Sequence, residues 1–127
     1  MKRSPLKKYS KAEIPKLKRK TWQIFSLWIR ERDKYTCFTC GRKGEGSGIH
    51  AGHYVGRNGH NATYFDELNV HAQCYRCNIH LSGNAGEYAL RLDEKFGEGT
   101  AKKLALKARE SHQFSVEELL NIISKYE

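Results

Sequence analysis

Apolar residues recur at helical spacing early in the chain. Trp22, Phe25, Trp28 and Ile29 form one stripe, which predicts a helix over residues 21–34. Arg30, Arg32 and Lys34 gather at its end, where cations suit the helix dipole. Tryptophans on such a stripe are expected in the core. The period is then lost. Gly41, Gly44, Gly46 and Gly48 mark a loop before a strand at Ile49-His50-Ala51. Residues 55–63 read as a polar loop, and Tyr64-Phe65 and Val70 suggest short extended segments. A helix is expected near residues 74–77, interrupted by Gly83-Asn84-Ala85-Gly86.

Helical spacing returns at Tyr88, Leu92 and Phe96, and Gly97 and Gly99 break it. Thr100 is placed to cap a helix carrying Leu104 and Ala108. Ser115-Val-Glu-Glu118 reads as a capping box, with Phe114 stapled to Leu119. The pattern predicts one α+β domain over residues 1–127. It divides into a flexible basic arm (1–20), a helix (21–34), a core (35–85) and a helical C-terminal part (86–127).

The charge distribution sharpens this picture. The formal net charge is +9, and residues 1–20 hold nine Lys/Arg and one acid. Pro5 and Pro15 interrupt regular helix there, which favours a flexible arm ordered on a polyanion. Nucleic acid is the commonest acidic partner of so basic a chain. The cations assigned to DNA are Lys7, Lys8, Lys18, Arg19, Lys20, Arg57 and Arg76. The start has no apolar segment of a signal peptide, and no run is long enough for a membrane span. An intracellular location is expected, where paired cysteines are metal ligands more often than disulfides.

The chemistry concentrates between two Cys-x-x-Cys pairs, Cys37/Cys40 and Cys74/Cys77. Together they supply the four thiolates of a tetrahedral structural Zn²⁺ site and use every cysteine of the chain. Between them lie 33 residues, more than the roughly 15–20 of a plain zinc ribbon. The insert holds His50-Ala-Gly-His53 and Asn69-Val-His71. Phosphodiester hydrolysis needs a base, a cation and fixed geometry. His53 is a candidate base, and Asn78 with a residue near His50 is a candidate ligand pair for a divalent cation.

The order Cys-x-x-Cys, His, Asn, Cys-x-x-Cys-Asn resembles the HNH (ββα-metal, His-Me finger) endonucleases, and most closely the phage lambda Rap (NinG) type of recombination endonuclease. The resemblance rests on Ile29-Arg-Glu-Arg-Asp33, Cys37-x-x-Cys40-Gly41, Ala51-Gly-His-Tyr54, Asn69-x-His71-x-Gln73-Cys74-x-x-Cys77-Asn78-x-His80 and Ser82-Gly-Asn84, over residues 29 to 97. It implies a zinc-stabilised ββα-metal core with an N-terminal helix and C-terminal helices. It also implies a metal-dependent DNA endonuclease acting on branched intermediates such as Holliday junctions and D-loops. A homodimer would suit such a target, and a phage-encoded protein would work in the bacterial host cytoplasm. His53 would be the base, Asn69 would fix its loop, and Asn78 would bind the catalytic Mg²⁺ or Mn²⁺.

One departure stands out. The acidic ligand common before the base is replaced by Gly52, which leaves His50 or His80 as first metal ligand. On an ideal strand His50 and His53 face opposite sides, so their convergence would need a bulge at Ala51-Gly52. Two alternatives stay open: a nicking or homing-type HNH endonuclease on duplex DNA, and a non-catalytic zinc-ribbon DNA-binding protein.

Overall fold

The computed structural model describes residues 9–44 and 48–127. Lys7 and Lys8 of the basic arm lie outside the described residues. The first helix, α1 (Ile14–Arg32), begins well before residue 21. Pro15 falls in its first turn, where a missing N–H costs nothing and the fixed φ suits a helix. The arm therefore does not extend to residue 20, and Lys18, Arg19 and Lys20 project from a helix. Leu17, Thr21, Phe25 and Ile29 are the buried residues of α1, one every fourth position. The tryptophans flank that row and are only half-buried, a correction to their expected place in the core. Trp28 lies edge-on to Tyr126, and Trp22 lies over His53.

Beyond α1 the chain turns sharply through Lys34 and Tyr35, both left-handed (φ 53° and 54°). It then forms the first cysteine turn. Strands β1 (Ile49–His53) and β2 (Val70–Cys74) pair antiparallel. Their register runs one-to-one from Ile49 opposite Cys74 to His53 opposite Val70, so the expected bulge at Ala51-Gly52 is absent. A two-stranded sheet is marginal alone. Here all five residues of β2 are buried, and its outer edge is covered. Ala72 N–H donates to Asp33 Oδ2 (2.8 Å), and Phe38 N–H donates to the Ala72 carbonyl (2.7 Å). Asp33 is also gripped by Arg32 at 2.7 and 3.0 Å, and Arg32 reaches the carbonyls of Glu67 and Val70. The end of α1 is thus tied to β2 by charged hydrogen bonds.

Between the strands, Asn61–Thr63 form a short 3₁₀ turn, so Tyr64 and Phe65 are not extended as expected. Their rings pack instead beside Trp22 and Phe25. After β2 the helix expected near residues 74–77 takes the form of a five-residue π-helical turn (Arg76–His80). Three helices follow: α2 (Ala85–Phe96), α3 (Thr100–Lys107) and α4 (Val116–Tyr126). Gly99, not Thr100, caps α3, and Thr100 bonds back to the Gly97 carbonyl. Ser115 caps α4 as expected by accepting from the Glu118 amide. The Glu118 carboxylate completes no box; it pairs with His112. Helix α4 packs Leu119 and Ile123 on Leu17 of α1, and α2 and α3 bury Tyr88, Leu92, Ala101 and Leu104 together. The architecture is mixed α+β.

Replacing Asp33 by alanine leaves the buried Ala72 amide and the Arg32 guanidinium without their carboxylate. A cost of about 2–3 kcal/mol is expected, read as a lowered urea midpoint with an unchanged slope.

Candidate metal centre and adjoining basic cleft

The two cysteine pairs meet where the turn after α1 reaches the end of β2. The first turn is closed by Cys37 N–H to Arg42 O (2.8 Å) and Gly41 N–H to Cys37 O (2.9 Å), with Gly41 at φ 80°. Glycine takes that left-handed turn without strain. The ligand atoms of Cys37, Cys40, Cys74 and Cys77 all lie within 4.8 Å of one another. Cys40 and Cys74 sulfurs are 3.7 Å apart, too far for a disulfide. A zinc–thiolate tetrahedron has edges of about 3.8 Å. The donor set fits zinc in number, chemistry and spacing, so these four cysteines could bind a structural zinc. Burial alone would push the Cys37 thiol up. Hydrogen bonds from the Thr39 hydroxyl and from the amides of Cys74, Cys40 and Thr39 outweigh it and bring it down to about 6. Burial pushes Cys40 up to about 12 and Cys77 upward as well, with neighbouring sulfurs adding to both. A thiolate-stabilising turn facing protonated thiols is the state a cation would resolve.

Beside this cluster a cleft of about 510 Å³ opens between α1, β1 and the π-helical turn. Trp22, Ser26 and Arg30 form one wall at steps of four along α1; His50, Gly52 and His53 form the floor; Asn78 and Arg57 close the sides. Despite the regular strand, both histidines reach this cleft. His53 Nε2 meets the Tyr64 carbonyl at 2.9 Å, and its ring stacks on Trp22 with centroids 4.8 Å apart. Burial lowers its pKa to about 4, Arg57 adds to the effect, and the Tyr64 carbonyl opposes it. His50 Nδ1 meets Asn78 Nδ2 at 2.9 Å, so these two candidate ligands are bonded to each other. His80 is exposed, edge-on to Tyr75, and does not line the cleft. Arg76 is exposed on the same turn.

Asn69 is fully buried. It accepts from Val55 N–H (2.8 Å) and donates to the carbonyls of Val55 and Thr63 (both 3.0 Å), pinning the loop that follows His53. A second buried chain runs behind β1. Tyr88 donates to the Gly52 carbonyl (2.7 Å). His71 Nδ1 lies 3.1 Å from the same hydroxyl and must therefore be its donor, which makes His71 the neutral Nδ1–H form. Burial lowers the His71 pKa to about 3, in keeping with that form. Gly52 itself has no room for a side chain: a Cβ would overlap Gln73 Oε1 and come within 3.0 Å of Asn78 Oδ1. Gln73 Oε1, buried without a conventional donor, thus rests against the Cα of Gly52, a weak C–H···O contact. Trp22, Arg30, Gln73 and Tyr88 were not identified from the sequence as part of this site. The four-residue spacing of Trp22, Ser26 and Arg30 was the signal available for the α1 wall.

The fold and site define a mixed α+β unit with a candidate zinc cluster beside a basic cleft. The family model described as "NinG: Bacteriophage Lambda NinG protein" matches residues 2–127. The chain is 34% identical over 106 residues to Protein ninG of Escherichia phage 933W, which covers 83% of this chain and 52% of that protein. It is 33% identical to Protein ninG of Salmonella phage P22 and 31% identical to that of Escherichia phage lambda, covering 83% of this chain and 51% of each relative. This chain belongs to the NinG family. It spans about half the length of the curated relatives it matches. No solved structure matches it.

These matches correct the functional expectation. The family is NinG, not an HNH endonuclease class, and the relatives' names indicate no enzymatic activity. The matches support neither an endonuclease on branched DNA, nor its duplex-nicking variant, nor a catalytic Mg²⁺ or Mn²⁺. The physical chemistry agrees on the cation: hard divalent ions favour carboxylate oxygens, and among the described residues none lines the cleft. Among the described residues no helix is long and apolar enough to cross a membrane.

The lowered pKa of His53 has a pH signature. Its folded value, about 4, lies below the unfolded value of 6.5, so folding favours the neutral ring. That contribution is complete above pH 6.5 and is lost as pH falls through about 4. Unfolding free energies of the zinc-saturated protein, measured in urea across this window, should fall with acidification. In His53→Gln the slope should be shallower by up to about 1.4 kcal/mol per pH unit. Equal slopes would exclude a buried neutral His53.

Proposed function

We propose that this chain is a DNA-binding module of the NinG family, held in shape by one zinc on Cys37, Cys40, Cys74 and Cys77. The observation that carries the reading is the cleft: Arg30, Arg57 and His50 line it, and among the described residues no carboxylate does. Phosphate oxygens are the complementary ligand, and arginine forks match them. The net charge of +9 and the exposed cations on α1, Lys16, Arg19 and Lys20, extend the same field beyond the cleft. Zinc, when bound, supplies the cross-link between the first cysteine turn and the end of β2. Free paired thiols suit a reducing compartment such as the cytoplasm of a bacterial host.

Elemental analysis should find one zinc per chain. Cys74→Ser should lose most of that zinc and unfold at lower temperature, and full stability without metal would remove zinc from the reading. Binding is checked by anisotropy of labelled duplex and four-way junction DNA over a salt series. Arg30→Gln should weaken binding and reduce the dependence of log K on log salt by about 0.9 on duplex. A wild-type protein without salt-dependent DNA binding would sink the proposal. Tighter binding to the junction would make branched DNA the preferred target.

A further inference from the structure

A second cleft, of about 550 Å³, lies along the N-terminal half of α1 and is lined by Lys18, Arg19, Trp22, Arg57, Asn58 and Tyr64 among others. It shares Trp22 and Arg57 with the first cleft, so one strand of backbone can run through both. Two cations lie over the Tyr64 ring. Lys18 Nζ lies 4.2 Å from the ring centroid and the Arg57 guanidinium 6.0 Å from it; Arg57 is also 5.4 Å from the Trp22 centroid. Lys18 donates to Asn61 Oδ1 at 3.1 Å. Among the described residues neither cation forms an ion pair, and no carboxylate lines the cleft. Burial, and then the nearby Arg57 charge, lower the pKa of Lys18. Two like charges held together over aromatic rings repel unless an anion joins them. The walls also offer ring faces and amides, which suit a base rather than a bare inorganic ion. A paired base is stacked within its duplex and cannot enter.

We infer that this second cleft takes one unpaired nucleotide of a DNA strand, its phosphate between Lys18 and Arg57 and its base against the Tyr64 and Trp22 rings. The inference rests on the DNA-binding reading and adds a preference for strands with unpaired bases.

The test uses this 127-residue chain carrying Trp28→Phe, which leaves Trp22 as the one tryptophan among those residues. Oligothymidylate should quench Trp22 emission, and blunt duplex of equal length should quench it far less. Lys18→Met keeps the aliphatic stem and removes the charge. It should weaken oligothymidylate binding about tenfold and lower its salt slope by about 0.7, while duplex affinity falls less than threefold. Unchanged thermal midpoints would show that the variant is folded. Equal losses on both DNAs, or none on either, would overturn the cleft assignment and leave duplex binding standing. Protein that binds neither DNA would overturn the underlying reading and this inference together.

Discussion

Four sulfurs within 4.8 Å of one another are the constraint on which the rest of the structure depends. Thiolates that close repel, and only a cation of tetrahedral preference lets all four ionise. They join two chain segments that share no regular pairing: the turn after α1 and the junction of β2 with the π-helical turn. Cys37, Cys74 and Cys77 are themselves buried with Ile49 and Ala72, so the candidate metal centre and this part of the apolar core are one object. Removing the cross-link would release the edge of a two-stranded sheet that has little stability of its own.

A second layer of constraint is polar and buried. Asp33 and Arg32 tie α1 to β2, Asn69 ties the loop after β1 to the approach to β2, and Tyr88 ties α2 to the Gly52 carbonyl. Each bond satisfies a backbone group that the short sheet leaves open. Their joint effect is to hold β1 against α1, beside the cleft that both His50 and His53 line. The Trp22–His53 stack completes that wall. The cleft is therefore preorganised by groups that do not line it, such as Tyr88 and Asn69.

The basic cleft, lined by Arg30, Arg57 and His50 with no carboxylate among the described residues, is what favours an anionic partner in the proposed reading. The family match covers nearly the whole chain, while the chain covers about half of each curated relative. In the proposed reading, α1 presents arginine, lysine and aromatic side chains to a polyanion. The two adjoining clefts, joined at Trp22 and Arg57, give that surface a direction.

The sequence by itself determined the cysteine pairs, the basic excess, the alternation of loop and helix and the Ser115 cap of α4. These are local: they depend on spacing, composition and side chains a few residues apart. The start of α1 was misjudged because Pro15 was read as a breaker, although it sits in the first turn. Only the tertiary structure decided that Trp22 leaves the core to cover His53, that Gly52 must lack a side chain because Gln73 rests on it, and that Arg30 and Arg57 share a cleft. Those relations join residues tens of positions apart. They follow from how α1 and the π-helical turn pack on the sheet, and no periodicity along the chain records that packing.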